Sequence, residues 1–237
     1  MPILYRPKSQ RTLLNILVIL ASLGSLVALG YVFFRPLPAP LGPPVIISRA
    51  QWGAIAADPR LQNPEDHEVF NTVVIHHSAM PPDEGPREIQ QVHMQGRNFQ
   101  DIGYHFLIDR EGRIYEGRSL AVHGAHVREH NAGTLGIVLL GNYEEIEPTA
   151  GQLQRLRWLI SALRARHPLT HLAGHRDFLP GKTLCPGKNL APLLPKLAAE
   201  LGLQFGIGGY LGPEPTSASP PPLTRSTAVS QTATPGR

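Results

Sequence analysis

The chain carries a single cysteine, Cys185, among 237 residues. An intramolecular disulfide is therefore excluded, and in an oxidising compartment such a thiol persists only if it is buried or held by a metal. Acidic side chains are missing from the first 35 residues, where Arg6, Lys8, Arg11 and Arg35 supply four positive charges. Residues 213–237 add one more, so of the net +4 the central stretch 36–212 carries −1. That middle lacks the basic excess a nucleic-acid binder needs, and nucleic acid is excluded as a partner. No internal repeat is visible. Hydrophobic residues make up 42%, enough for one real core.

What is present first is a long apolar run. Leu13 to Phe34 contains 22 residues without a charge, and at about 1.5 Å per residue it spans roughly 33 Å, enough to cross a bilayer. Basic residues concentrate on its N-terminal side. The positive-inside rule then places residues 1–12 in the cytoplasm, 13–34 as a transmembrane signal anchor, and everything beyond outside, in the periplasm or extracellular space. The alternative is a signal peptide cleaved near Ala28-Leu29-Gly30, with secretion of the remainder; the run exceeds the ~7–15 apolar residues of ordinary signals. Residues 35–44 include five prolines and read as a stiff spacer. Residues 212–237 are rich in Pro, Ser and Thr and read as a disordered tail. The folded unit is 45–211.

Within it, Phe70 to His77 is a β-branched run predicting a buried strand. Pro86 to Arg97 has helical spacing, with Ile89, Val92 and Met94 as its apolar positions. Tyr104–Asp109 and Arg113–Glu116 read as a hairpin across Arg110-Glu111-Gly112. Thr134 to Leu140 is an apolar strand. Thr149 caps a helix to Arg166 whose stripe is Leu153, Leu156, Leu159, Ile160 and Leu163. Thr170 to Gly174 is a short strand running into His175, and Leu190 to Leu201 is a last helix. Alternating strands and helices predict an α/β single domain, a central mixed β-sheet flanked by helices, preceded by one N-terminal transmembrane helix.

All 11 histidines fall between residues 67 and 175, inside the folded unit. His76 ends an apolar strand and His77 points to the opposite face. Alone, His76 reads as a hydrogen-bonded core histidine. His175 sits where a strand meets a loop, the usual place for a functional side chain. Cys185 alone reads as a small buried hydrophobe, but Pro186-Gly187 and its polar loop argue against core burial. Together, two imidazoles and a thiolate are a plausible zinc set with a fourth position for water. Zinc would lower the pKa of that water to about 7 and polarise a carbonyl. Tyr104, at a strand start, is a candidate to assist, or else a core aromatic. Lys182 and Thr183, in the loop before Cys185, are candidates too, or else solvated loop residues.

Several ordered motifs carry a resemblance. They are Ile47-Ser48-Arg49-Ala50-Gln51-Trp52-Gly53-Ala54, Val74-Ile75-His76-His77-Ser78, Asp101-Ile102-Gly103-Tyr104-His105-Phe106, Gly124-Ala125-His126, Asn131 with Gly133-Thr134-Leu135-Gly136-Ile137, and the segment His175 to Cys185. Over roughly 45–200 the chain resembles the peptidoglycan-recognition-protein and zinc-dependent N-acetylmuramoyl-L-alanine amidase family (amidase type 2, endolysin-like). The resemblance implies one Zn2+ per chain on His76, His175 and Cys185. It implies hydrolysis of the amide between N-acetylmuramic acid and the L-alanine of the stem peptide, with peptidoglycan or muropeptides as partner. It further implies assistance by Tyr104 and by Thr183 or Lys182, and places His126 and Asn131 near the substrate groove. The spacing from His175 to Cys185 resembles that of cell-wall-recycling amidases, which carry a glutamate in the strand matching Ile137-Val138-Leu139-Leu140; here that strand has no acid. The alternative function is a non-catalytic recognition protein, a class that typically lacks the cysteine ligand.

Overall fold

The computed structural model describes residues 15, 17–22, 42–61 and 69–210. Residues 15 and 17–22 are helical; the rest of the expected 13–34 anchor, most of the 35–44 spacer and the 212–237 tail lie outside the described residues. Among the described residues no helix is long and apolar enough to cross a membrane. The chain divides into two units at Gly42/Pro43, and the second holds the α/β domain.

Its centre is β2, Thr72–His77, buried at every position. β2 runs parallel to β5 (Thr134–Leu139) on one side and to β6 (His171–Gly174) on the other. Unbroken apolar runs suit such strands, because helices or loops cover both faces of a parallel sheet. The full order is β1-β4-β3-β5-β2-β6-β7, with β1 at Ile46–Ile47, β3 at Phe106–Ile108, β4 at Ile114–Glu116 and β7 at Gln204–Phe205. β3 and β4 form the expected antiparallel hairpin; the other pairings are parallel. The sheet is thus mixed, as the sequence predicts.

The two faces differ. Val73, Ile75, Leu135, Ile137 and Leu139 join a large core closed by α3 (Ala150–Arg164) and α5 (Leu194–Glu200). α1 (Arg49–Trp52) and α2 (Pro86–Gln91) are the earlier helices. The opposite face carries two smaller clusters. One gathers Ile89, Ile102, Leu107 and Val138 with Tyr104 against it; the other gathers Val74, Val127, Ala173 and Phe178. Strand alternation sends Thr72, Val74 and His76 to this second face and His77 to the first.

Two expected elements are modified. The helix from Pro86 stops being α-helical at Gln91 and continues as a wider π turn, Val92–Gly96. Its inward positions are Ile89, Gln90 and His93, while Val92 is exposed; His93 Nδ1 accepts the Gly103 N–H at 2.9 Å, which draws the imidazole inward in place of the expected valine. The last helix begins with a 3₁₀ turn, Ala191–Leu193, before α5.

α3 follows the sequence closely. Thr149 Oγ1 accepts the Gln152 N–H at 3.0 Å, and Gln152 Oε1 accepts the Thr149 N–H at 3.1 Å, a reciprocal cap. Leu156, Leu159, Ile160 and Leu163 are buried. At roughly 1.5–3 kcal/mol per buried side chain, packing outweighs the cap, which contributes about 1 kcal/mol. Thr149→Ala should therefore cost about 1 kcal/mol in urea denaturation without unfolding the domain. A loss several times larger would mean the Thr149 Oγ1 bond to Arg110 O, at 2.8 Å, matters more than the cap.

Candidate metal centre

The register of the central strands sets the site. Ile75 lies opposite Gly174 across the β2–β6 pair, so His76 and His175 emerge as neighbours at the same end of the sheet. This is the carboxyl end of parallel strands, where α/β sheets place ligands. His175 opens α4 (His175–Phe178), whose start is held by Asp177 Oδ2 accepting the Gly174 N–H at 2.7 Å. The two imidazole centroids are 4.7 Å apart.

Cys185 reaches these rings from a loop fastened at several points. Its carbonyl accepts the Arg176 N–H at 2.9 Å. Gly187, at φ 100°, packs against the Tyr143 backbone so closely that a Cβ would come within 2.5 Å of Tyr143 C. Glu144 Oε1 accepts the Lys188 N–H at 2.8 Å. Contrary to the expectation from its polar loop, Cys185 is buried, at 9% exposure. The loop's backbone finds partners, so the thiol turns in beneath it while Leu184 stays exposed.

Among the described residues, His76, His175 and Cys185 form the one group of three or more metal-ligating side chains, their donor atoms all within 4.8 Å of one another. Cys185 Sγ lies 3.6 Å from His76 Nδ1. Tetrahedral zinc, with Zn–N of ~2.0 Å and Zn–S of ~2.3 Å, separates its nitrogen and sulfur ligands by about 3.5 Å. His175 Nε2 is buried without a hydrogen-bond partner, an exception among buried polar groups that metal ligation would account for. The donor set fits zinc on both counts.

Electrostatics point the same way. Burial, reinforced by the neighbouring His126 and His175 rings, holds His76 neutral with its pKa well below the ordinary value. Burial lowers His175 to about 4, so both rings offer lone pairs at neutral pH. Burial pushes the Cys185 thiol up to about 12. The His77 N–H, 3.4 Å from Sγ, partly opposes that rise, and a bound cation would favour the thiolate that ligation requires.

The other sequence candidates are placed as follows. The Tyr104 ring lies 5.0 Å from that of His76, and burial raises its phenol pKa. Thr183 Oγ1 accepts the Cys185 N–H at 3.2 Å, leaving its own proton to donate. Lys182 is exposed on the same loop. His126 is buried, its Nδ1 3.1 Å from His76 Nε2. Asn131 Oδ1 accepts the His126 and Val127 N–H groups at 2.8 and 2.9 Å, a clamp on the loop carrying His126. His77 turns away, accepting the Tyr143 N–H at Nδ1. Two buried histidines that the sequence patterns do not single out, His93 and His105, flank the site. His105 stands inside a quoted motif; His93 is hidden by the apolar periodicity of Val92 and Met94. A cavity of about 870 Å³ elsewhere, bounded by Arg49, Ala54, Pro59, Glu116 and Val122, contains none of the converging donors. Convergent chemistry, not volume, marks the site.

Burial lowers His93 to about 4, helped by Arg97 and Arg118, and lowers His105 to about 3. In the unfolded chain both titrate near 6.5. Above pH 6.5 neither state holds the proton and stability is constant. Below it the unfolded chain takes up protons first, so stability falls progressively from about pH 6.5 towards about pH 3. Urea midpoints should drop between pH 7.5 and pH 5, and the drop should shrink in His105→Asn. An unchanged pH slope in that variant would remove His105 from this account.

The α/β domain resembles known proteins over most of its length. Residues 66–188 match the family described as N-acetylmuramoyl-L-alanine amidase. Peptidoglycan recognition protein 1 of Bos indicus is 34% identical over 162 residues, covering 63% of this chain and 82% of that protein. The structure of N-acetylmuramoyl-L-alanine amidase LysC from Clostridium intestinale URNW superposes with a TM-score of 0.59 at 30% identity, covering 68% of this chain and 100% of that one. That of human PGRP-IBETAC in complex with glycosamyl muramyl pentapeptide gives 0.56 at 30% identity, over 65% and 96%. With its parallel strands delivering two histidines to one cysteine, the chain belongs to the N-acetylmuramoyl-L-alanine amidase family, and it is similar to the peptidoglycan recognition proteins as well.

Proposed function

We propose that the chain is a zinc-dependent amidase that hydrolyses the bond between N-acetylmuramic acid and the L-alanine of peptidoglycan stem peptides. The observation that carries it is the convergence of His76, His175 and Cys185 with the nitrogen–sulfur spacing of a zinc site. Bound there, zinc supplies an acidified water and a Lewis acid for the amide carbonyl. Around it, Tyr104 offers a phenol that stays protonated at neutral pH and can donate to the oxyanion that develops on the carbonyl. The Thr183 hydroxyl, which accepts the Cys185 N–H, keeps its own proton and is the second candidate donor. Lys182, exposed one residue before it, is the alternative helper from the same loop.

The similarity to recognition proteins supports a second reading, a module that holds muropeptides without cutting them. Incubating the full-length protein with purified muropeptides, with and without a chelator, and weighing the products separates the two. Hydrolysis should release peptides beginning with L-alanine, stop on zinc removal and be abolished in Cys185→Ser. Tyr104→Phe should retain zinc and lose about 10²–10³-fold in kcat, the usual consequence of removing one oxyanion donor. Unchanged substrate from zinc-loaded protein would select the binding module.

For the flanking segments we propose a single-pass anchor at 13–34 with the N-terminus inside, a spacer at 35–44, the amidase domain at 45–211 outside the cytoplasm, and a tail at 212–237. The chain expressed in a bacterial host should stay in the membrane fraction after an alkaline carbonate wash. Recovery in the soluble fraction, shortened near residue 30, would favour the cleaved and secreted form.

A further inference from the structure

His126 belongs to none of the zinc-set positions, yet the fold builds a close cradle for it. A Cβ on Gly124 would sit 2.3 Å from His126 Cδ2, and one on Gly136 would sit 2.5 Å from the same atom. Only glycine at both positions leaves room for the ring. Asn131 fixes its backbone, and His105 packs edge-on against it at 5.7 Å between centroids. Both ring nitrogens are engaged. Nε2 lies 3.3 Å from the Thr134 carbonyl oxygen and Nδ1 lies 3.1 Å from His76 Nε2.

Those two contacts determine where the protons sit. A carbonyl oxygen only accepts, so His126 Nε2 must carry hydrogen. The ring is enclosed by the His76, His105 and Tyr104 rings and the Thr134 carbonyl, none of them a carboxylate that would balance a charged imidazole; a neutral imidazole has one N–H, so His126 Nδ1 is an acceptor. Its partner, His76 Nε2, is then the donor. The remaining nitrogen of His76, Nδ1, holds the lone pair, and it is the one 3.6 Å from Cys185 Sγ.

We propose that His126 is a positioning residue: anchored on Thr134 O, it locks His76 in the Nε2–H tautomer and thereby aims the Nδ1 lone pair at the metal position. Outer-shell partners of this kind orient ligands and raise their basicity. The proposal rests on the reading of His76 as a metal ligand, but the tautomer can be read without any metal. It also gives His126 a role distinct from the substrate contact its motif suggests.

The test uses full-length, metal-free protein labelled with 15N in its histidines. Long-range 1H–15N correlation at neutral pH should show His76 and His126 both as Nε2–H tautomers. His126→Leu should lose the His76 preference and weaken zinc binding about 10–100-fold in competition with a chelator. His126→Asn, whose Oδ1 can stand near the former Nδ1, should recover part of both. A His76 Nδ1–H tautomer in the parent overturns the proposal, as does parent-like zinc affinity in His126→Leu. If that variant fails to fold, the parent spectrum and His126→Asn still decide. Absence of zinc uptake by a parent that shows the expected tautomers would overturn the metal reading alone.

Discussion

Everything at the candidate site depends on the parallel pairing of β2 with β6. Ile75 opposite Gly174 puts the residues that follow them, His76 in β2 and His175 just past β6, side by side at the carboxyl end of the strands. A shift of one residue in β2 would turn His76 to the face covered by α3 and α5, because side chains alternate. The register is held by burial: Val73 and Ile75 must enter the large core, and Val74 the smaller cluster beneath α4. The hydrophobic pattern of β2 therefore aims the histidine, although the histidine contributes little to that pattern.

The site itself opposes stability. Imidazoles of His76, His93, His105 and His126 are buried at no more than 8% exposure, and the fold tolerates them only neutral. Backbone groups satisfy most of these rings: Gly103 N–H for His93, Gly136 N–H and Val122 O for His105, Thr134 O for His126. His175 Nε2 has no such partner. Where the protein completes these rings and leaves that one open, beside a thiol whose neutral form is favoured by burial, a cation is the natural complement.

Much of the architecture was legible in the chain. The β-branched runs at 70–77 and 134–140, the capped helix after Thr149 and the hairpin around Gly112 read correctly because each is a local pattern of period or turn chemistry. Less legible was the helix from Pro86. Its wide turn answers a contact between His93 and Gly103, ten residues apart, which periodicity does not contain. The burial of Cys185 was hidden for a similar reason, since what satisfies its polar loop is Arg176, Tyr143 and Glu144. His126 and Asn131 stand out through a motif, but their contacts with His76 and with the His126 loop came only from the fold.

By itself the sequence determined the inventory: one thiol, clustered histidines, an apolar segment, α/β patterning and the ordered motifs of a family. These are properties of residue type and spacing, and local physics suffices to read them. Only the tertiary structure decided which histidine faces Cys185, which nitrogen of it does so, and what stands behind it. Those facts depend on strand register and on contacts between segments up to 109 residues apart, and cooperative packing of the whole domain is what sets them.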